Sequence, residues 1–222
     1  MRQGHATRAV VAAALAATML ALTSPAYAAT STDTTQFSVT AGTLAFTTAP
    51  DVPNLPALTL NGQAQTLNAT MANFGVSDGT GAGAGWNVTV AGDNAGGKSS
   101  VFKQYCTNAG GCGAHPFGYV AGGYTLAQNS LTLNSTSAGF TAQNGTTGTA
   151  PTHQCNSGCF VDAAPASPVK VVSAAVGAGM GSYITNGYTA TSLAAAAPSN
   201  IQALLANEVY RVDLLWTLGS GP

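Results

Sequence analysis

The sequence predicts an all-β protein built as an antiparallel β-sandwich. Short segments in which apolar and polar residues alternate recur along the whole chain. Clusters of Gly, Asn, Pro and Ser separate these segments, as the turns between antiparallel strands require. Only residues 199–207 show helical spacing, with Ser199 as an N-cap before Ile201 and Leu204. One helical turn of this length does not change the fold class.

The composition excludes one class of function and disfavours another. The chain has 222 residues, of which 6% are charged, whereas a typical soluble domain carries about 25%. Nucleic-acid binding needs clustered Lys and Arg that displace counterions from phosphates, so the sequence predicts no nucleic-acid partner. The same deficit argues against a charge-rich catalytic centre.

Residues 1–28 are predicted to be a secretory signal peptide cleaved after Ala28. Two arginines precede an uncharged apolar run at residues 9–22, and the small-residue pattern Ala26-Tyr27-Ala28 follows it. A retained membrane anchor is the less favoured alternative, because a transmembrane helix needs about 20 apolar residues. Cleavage leaves four basic and seven acidic residues, a net charge of −3. No second apolar span follows, so we expect a secreted protein without an integral membrane span.

The four cysteines fall into two close pairs, and each pair encloses a short turn-forming sequence. Four cysteines allow three connectivities, and the spacing favours the two local disulfides, Cys106 with Cys112 and Cys155 with Cys159. The alternative is a metal site that adds His115 and His153. An oxidising compartment and spacings unlike the usual zinc pattern favour disulfides. We therefore expect no metal and no other cofactor.

The strand pattern is carried by eight segments, namely residues 37–39, 44–46, 58–60, 86–90, 131–133, 169–171, 183–193 and 210–218. The last is the clearest, because its apolar residues, with Leu215 as the exception, fall on one face of a strand. These residues are Tyr210, Val212, Leu214, Trp216 and Leu218.

Between residues 92 and 168 the alternation weakens and Gly, Ser, Thr and Asn dominate. We interpret this segment as a long insertion in a single domain, residues 29–222, pinned by the disulfides because it has few large apolar residues to bury. A separate domain is the less favoured alternative. Its aromatic residues are expected to form a small satellite core: Phe102, Tyr105, Phe117, Tyr119, Tyr124 and Phe140.

No catalytic or nucleotide-binding motif stands out. Gly92, Gly97, Lys98 and Ser99 satisfy the phosphate-loop pattern, but the turn-rich sequence after them does not predict the helix that the mechanism needs. Glu208 is the only Glu, the Asp residues are scattered, and no Gly-x-Ser-x-Gly elbow is present. The sequence therefore predicts a protein that is not an enzyme.

Two segments carry a family resemblance. The first motif, Gly85-Trp86-Asn87-Val88-Thr89-Val90, and the second motif, Tyr210-x-x-x-Leu214-x-Trp216-x-Leu218-x-x-x-Pro222, resemble the two signature motifs of the WxL domain. This module of Gram-positive surface proteins attaches non-covalently to the cell wall. Segments 42–46 and 177–181 also resemble those that precede the motifs in the family.

The resemblance covers about residues 37–91 and 168–222. It departs from the family at Val88, where Leu is usual, and in the cysteine-bearing insertion, which is not a family hallmark.

The resemblance implies a secreted, wall-associated protein whose partner is peptidoglycan, with the motif residues as its site: Trp86, Val88, Tyr210, Leu214, Trp216, Leu218 and Pro222. The two tryptophans form either part of the core or an exposed platform for sugar rings. We expect at least partial burial of both, since Trp is highly buried on average. Two alternatives remain: a surface subunit or adhesin that binds other surface proteins through a strand edge, and a wall-glycan enzyme.

Overall fold

The computed structural model describes residues 33–222, of which residues 40–222 form one compact unit. The predicted signal peptide at residues 1–28 lies outside the described residues. The unit contains fifteen strands: β1 Leu44–Thr48, β2 Gln65–Ala69, β3 Gly75–Asp78, β4 Trp86–Gly92, β5 Lys103–Cys106, β6 Gly118–Tyr119, β7 Leu131–Leu133, β8 Gly139–Gln143, β9 Thr152–His153, β10 Cys159–Phe160, β11 Val169–Ala174, β12 Gly181–Asn186, β13 Leu193–Ala197, β14 Glu208–Arg211 and β15 Leu214–Ser220.

The strands form four antiparallel sheets, and the prediction of an all-β antiparallel sandwich is confirmed. Sheet A has the order β1-β3-β12-β8, sheet B β10-β7-β13-β2, sheet C β15-β4-β11-β9 and sheet D β14-β5-β6. The helical content of the described residues is one 3₁₀ turn at Ala95–Gly97.

Sheets A, B and C share one hydrophobic core. Sheet C supplies Trp86, Val88 and Val90 from alternate positions of β4, as a strand with one buried face must. The other sheets supply aliphatic and aromatic side chains, among them Val76 from sheet A and Leu131, Leu133 and Leu193 from sheet B. This common core fixes the positions of both sequence motifs.

The predicted strands agree with the structure at 44–46, 86–90, 131–133 and 169–171. Segment 183–193 is two strands, β12 and β13, separated by a turn, and segment 210–218 is likewise divided into β14 and β15. Strands at 37–39 and 58–60, and the helical turn at 199–207, were wrong predictions, because these segments are irregular in the structure. Each segment has a few apolar residues with the expected spacing. In the structure, however, no neighbouring strand pairs with residues 37–39 or 58–60.

Segment 92–168 contributes strands to sheets A, B and C. Its strand β7 pairs with β13, β8 pairs with β12, and β9 pairs with β11. The expected satellite core divides in two: Phe102 is buried in the main core with Phe140 packed against it, whereas Tyr105, Phe117 and Tyr119 form an aromatic cluster on sheet D. The expected single cluster is divided because the short strands of this segment pair with distant strands in different sheets.

Both local disulfides are confirmed. Cys106 is bonded to Cys112 and Cys155 to Cys159. Among residues 33–222 there is no helix of the length and apolarity needed to cross a membrane.

Candidate functional site

The two motifs lie on neighbouring strands. β15 pairs antiparallel with β4, so that Ser220 is opposite Trp86, Leu218 opposite Val88 and Trp216 opposite Val90. The pairing confirms that segments far apart in sequence form one structural unit. The Asn87 side chain adds a contact to this pairing, because its Nδ2 donates a 2.7 Å hydrogen bond to the carbonyl of Gly221. Gly221 precedes the exposed Pro222.

Trp86 is a core residue. Its side chain is 1% exposed, and the indole Nε1 donates a 3.0 Å hydrogen bond to the carbonyl of Gly179. Gly179 has a φ of +71°, and a Cβ at this position would lie 2.6 Å from Nε1 of Trp86 and 2.4 Å from Cβ of Ala174. The glycine is therefore needed for the indole to fit. Trp86 stabilises the fold and cannot contact a ligand without local unfolding.

Trp216 differs from Trp86 because its side chain is only partly buried. The indole packs on Phe74 with ring centroids 6.0 Å apart and the planes tilted by 49°. The remaining surface of Trp216 faces a groove that also takes in Tyr210 and Leu214 of the second motif. The prediction of at least partial burial of both indoles is confirmed, but only one of them lines a surface that a ligand can reach.

The groove has a volume of about 1150 Å³ and four walls. One wall is the proline-rich loop at residues 50–60, and another is the strand β13. The third wall is the irregular segment 201–204, and the fourth is β14 continuing into β15. Leu55, Leu58 and Leu204 supply apolar surface, and the Tyr210 hydroxyl donates a 3.1 Å hydrogen bond to the carbonyl of Gln202.

Glu208 is a residue of the groove wall, but its side chain is fully buried. Its carboxylate is 2.5 Å from Nδ1 of His115, and it accepts hydrogen bonds from Nε2 of Gln104 at 2.7 Å and from the backbone N–H of Leu205 at 3.1 Å. The hydrogen bond with His115, followed by those from Gln104 and Leu205, holds the pKa of Glu208 below its usual value.

Asp213 also lines the groove, and its carboxylate is likewise hydrogen-bonded within the protein. Its carboxylate accepts hydrogen bonds from the Tyr119 hydroxyl, from Arg211 at 2.8 Å and from the backbone N–H of Ser99 at 3.1 Å. These bonds outweigh the cost of burial and lower the pKa of Asp213. Both carboxylates therefore remain ionised and partnered at neutral pH.

The other predicted site residues belong to the hydrophobic core or pack against it. Val88 is fully buried, while Leu214 and Leu218 are partly buried and pack against the core. The sequence did not reveal the loop 50–60 as a groove wall. Leu58 and Leu60 gave a strand prediction that was wrong, and the prolines before them gave no motif signal.

Neither rejected site is supported by the geometry. All four cysteines are in disulfides, and the described residues contain no group of three His, Cys, Asp or Glu side chains that could hold a metal. In the phosphate-loop match, Lys98 forms a 2.6 Å ion pair with Asp93, and strand β5 is the next regular element after the short 3₁₀ turn.

Comparison with family models, with curated proteins and with solved structures finds no match to this chain.

Proposed function

We propose that this is a secreted, non-catalytic protein that binds bacterial cell-wall peptidoglycan non-covalently through the groove beside β15. The observation that carries the proposal is the position of Trp216 and Tyr210, which line an open groove of about 1150 Å³. Aromatic faces on a rigid sheet provide stacking surfaces for sugar rings at low entropic cost. The WxL-like second motif supplies both residues.

The chemistry of the groove favours an uncharged glycan. Leucines and aromatic rings make up much of its lining, and Asn54 and Gln202 are polar side chains at its wall. The acidic groups Glu208 and Asp213 have their hydrogen bonds satisfied within the protein. Because both have lowered pKa values, neither is suited to act as a general acid at neutral pH, which supports binding without catalysis.

The test uses residues 29–222 and purified walls stripped of anionic polymers. Ala203 is an exposed residue of the groove wall, so Ala203→Trp should obstruct the groove without disturbing the core. We expect wild-type protein to sediment with the walls, also at 1 M NaCl, because stacking persists where the Debye length is about 3 Å. Ala203→Trp should lower the affinity about tenfold or more.

The matched control is Val176→Trp, which adds the same side chain at a position that is 74% exposed and outside the groove. The control variant should bind as wild type does, and both variants should keep the wild-type melting temperature. Equal binding by the two variants, release of the wild type by salt, or no sedimentation at all would contradict the proposal.

A second candidate function is assembly with other surface proteins through strand edges. The favouring observation is that β14 and β15 are consecutive and each ends its sheet, and terminal strands can pair with another chain. Size-exclusion chromatography of the purified protein distinguishes the two functions, since polymers that form without wall material would support assembly.

A further inference from the structure

Sheet D has one face turned outward, which we call the aromatic-basic face. It is formed by Lys103, Tyr105, Phe117, Tyr119 and Arg211. Direct pairing of Tyr105 with Tyr119 and of Lys103 with Arg211 places these side chains on one side of the sheet. The intervening residues of β5, Gln104 and Cys106, are buried on the opposite side. The face belongs to the segment that the family resemblance does not cover, together with β14.

The three aromatic rings form one cluster. Tyr105 lies at its centre, with the Phe117 ring 5.7 Å away and the Tyr119 ring 4.9 Å away, both edge to face. Phe117 is 56% exposed. An aromatic side chain kept at the surface in this way gives a stacking face for a ring-shaped ligand.

Most of the described Lys and Arg residues lie on or near this face, although Lys98 pairs with Asp93 and Arg211 with Asp213. Three of the four Lys and Arg residues in the described chain are Lys98, Lys103 and Arg211, and all three are in this region. Lys103 and Arg211 are directly opposite on β5 and β14, an arrangement that like-charge repulsion disfavours. A bound anion would offset this repulsion.

The two opposed cations differ in their partners. Arg211 uses Nε and Nη2 to bond Asp213 at 3.2 and 2.8 Å, and its guanidinium lies 4.6 Å from the Tyr105 ring centroid. Nη1 of Arg211 has no hydrogen-bond partner within residues 33–222. Lys103 makes no ion pair with any carboxylate of that range. Donors of both residues are therefore left for a ligand.

The face is rigidly supported from beneath. Cys106 of β5 is bonded to Cys112, and its neighbour across the strands is Glu208, whose carboxylate binds Gln104 and His115. A disulfide and a buried hydrogen-bond network under a three-stranded sheet keep the outward side chains in fixed positions, which lowers the entropic cost of binding.

We propose that the aromatic-basic face binds an acidic polysaccharide, one whose sugar units carry carboxylate or phosphate groups. The sugar ring stacks on the exposed ring of Phe117, and its anionic group accepts hydrogen bonds from Lys103 and from the unpaired nitrogen of Arg211. This site adjoins the groove used by the proposed function, because Tyr105 and Arg211 also line that groove, whereas Lys103, Phe117 and Tyr119 do not. The proposal does not depend on the proposed function.

The experiment measures binding of residues 29–222 to three soluble polymers by titration calorimetry: polygalacturonate, phosphomannan and neutral dextran. We expect binding to one or both anionic polymers and none to dextran. The affinity should fall about tenfold or more between 0.05 and 0.5 M NaCl, since the contacts are electrostatic. The first two polymers distinguish a carboxylate ligand from a phosphate ligand.

Two variants locate the site. Lys103→Gln and Phe117→Ala should each weaken binding to the anionic polymer about tenfold, and Lys170→Gln should not. Lys170 is exposed on β11, so the control variant changes the overall charge by the same amount. Melting temperatures of all three should match the wild type.

Absence of binding to both anionic polymers, equal binding to dextran, or equal loss in Lys103→Gln and Lys170→Gln would overturn the proposal. Lys103 and Phe117 do not line the groove, so the two proposals can fail separately: Ala203→Trp should lower the affinity for stripped walls about tenfold or more and leave binding to the acidic polymer unchanged.

Discussion

At the scale of single residues, Gly179 shows how a glycine outside both motifs determines the position of a motif tryptophan. Its carbonyl accepts the indole hydrogen bond, and its missing side chain leaves the space that the indole occupies. The spacing of glycines at 177–181 marked this segment in the sequence. The reason for the glycine became visible only with the distances to Trp86 and Ala174.

Gly179→Ala should destabilise the protein by about 2–4 kcal/mol, because it adds a steric clash to the cost of a positive φ. The control is Gly177→Ala, where φ is +78° but nothing lies within 4 Å of the added Cβ. It should cost only about 1 kcal/mol. Denaturant unfolding of both variants measures the difference, and equal losses would show that the indole does not require the glycine.

Glu208 gives a prediction for the pH dependence of stability. Its pKa in the folded protein lies below the usual 4.5, so its ionised form contributes stability above that pH, and this contribution is lost as the pH falls through the lowered value. Glu208→Gln should therefore show a smaller fall in unfolding free energy between pH 5 and pH 3 than the wild type. Parallel pH profiles of the two proteins would mean that the ionised carboxylate does not stabilise the fold.

At the scale of elements, the break between β14 and β15 divides one alternating run between two sheets. The sequence shows one alternating run at 210–218, and nothing in it marks where the run leaves sheet D for sheet C. The break is set by tertiary hydrogen bonds: the N–H of Asp213 donates to the carbonyl of Ser99, and the N–H of Asp93 donates to the carbonyl of Asp213. Hydrogen bonds between residues so far apart in sequence leave no signal in the local alternation of apolar and polar residues.

The disulfide between Cys106 and Cys112 fixes the end of β5, the central strand of sheet D. Replacing both cysteines by serine should cost about 2 kcal/mol, the value expected for a short closed loop. The loss should appear in thermal unfolding, and binding to the acidic polymer should weaken with it because the aromatic-basic face loses its support. The double variant at Cys155 and Cys159 is the control, since that disulfide is outside sheet D. It should lower stability but leave polymer binding intact.

At the scale of the whole molecule, the fold class and the chemistry of the cysteines were predictable, whereas the sites were not. Alternation and turn residues indicate antiparallel strands wherever they occur, and close cysteine pairs enclose their own turns. The groove brings together residues 50–60, 195–204 and 208–216. The aromatic-basic face joins β5, β6 and β14. Both depend on which strands are neighbours, and the local alternation of apolar and polar residues does not reveal strand order.

The pairing of β4 with β15 also bears on how the protein reaches its final state. Contacts such as that between Asn87 and Gly221 span 134 residues, so the contact order is high and folding is expected to be slow. A chain exported amino end first would present β4 on the far side of the membrane long before β15 arrives. In such a chain, the edge of β4 that pairs with β15 in the folded protein would have no partner strand until the last segment arrives.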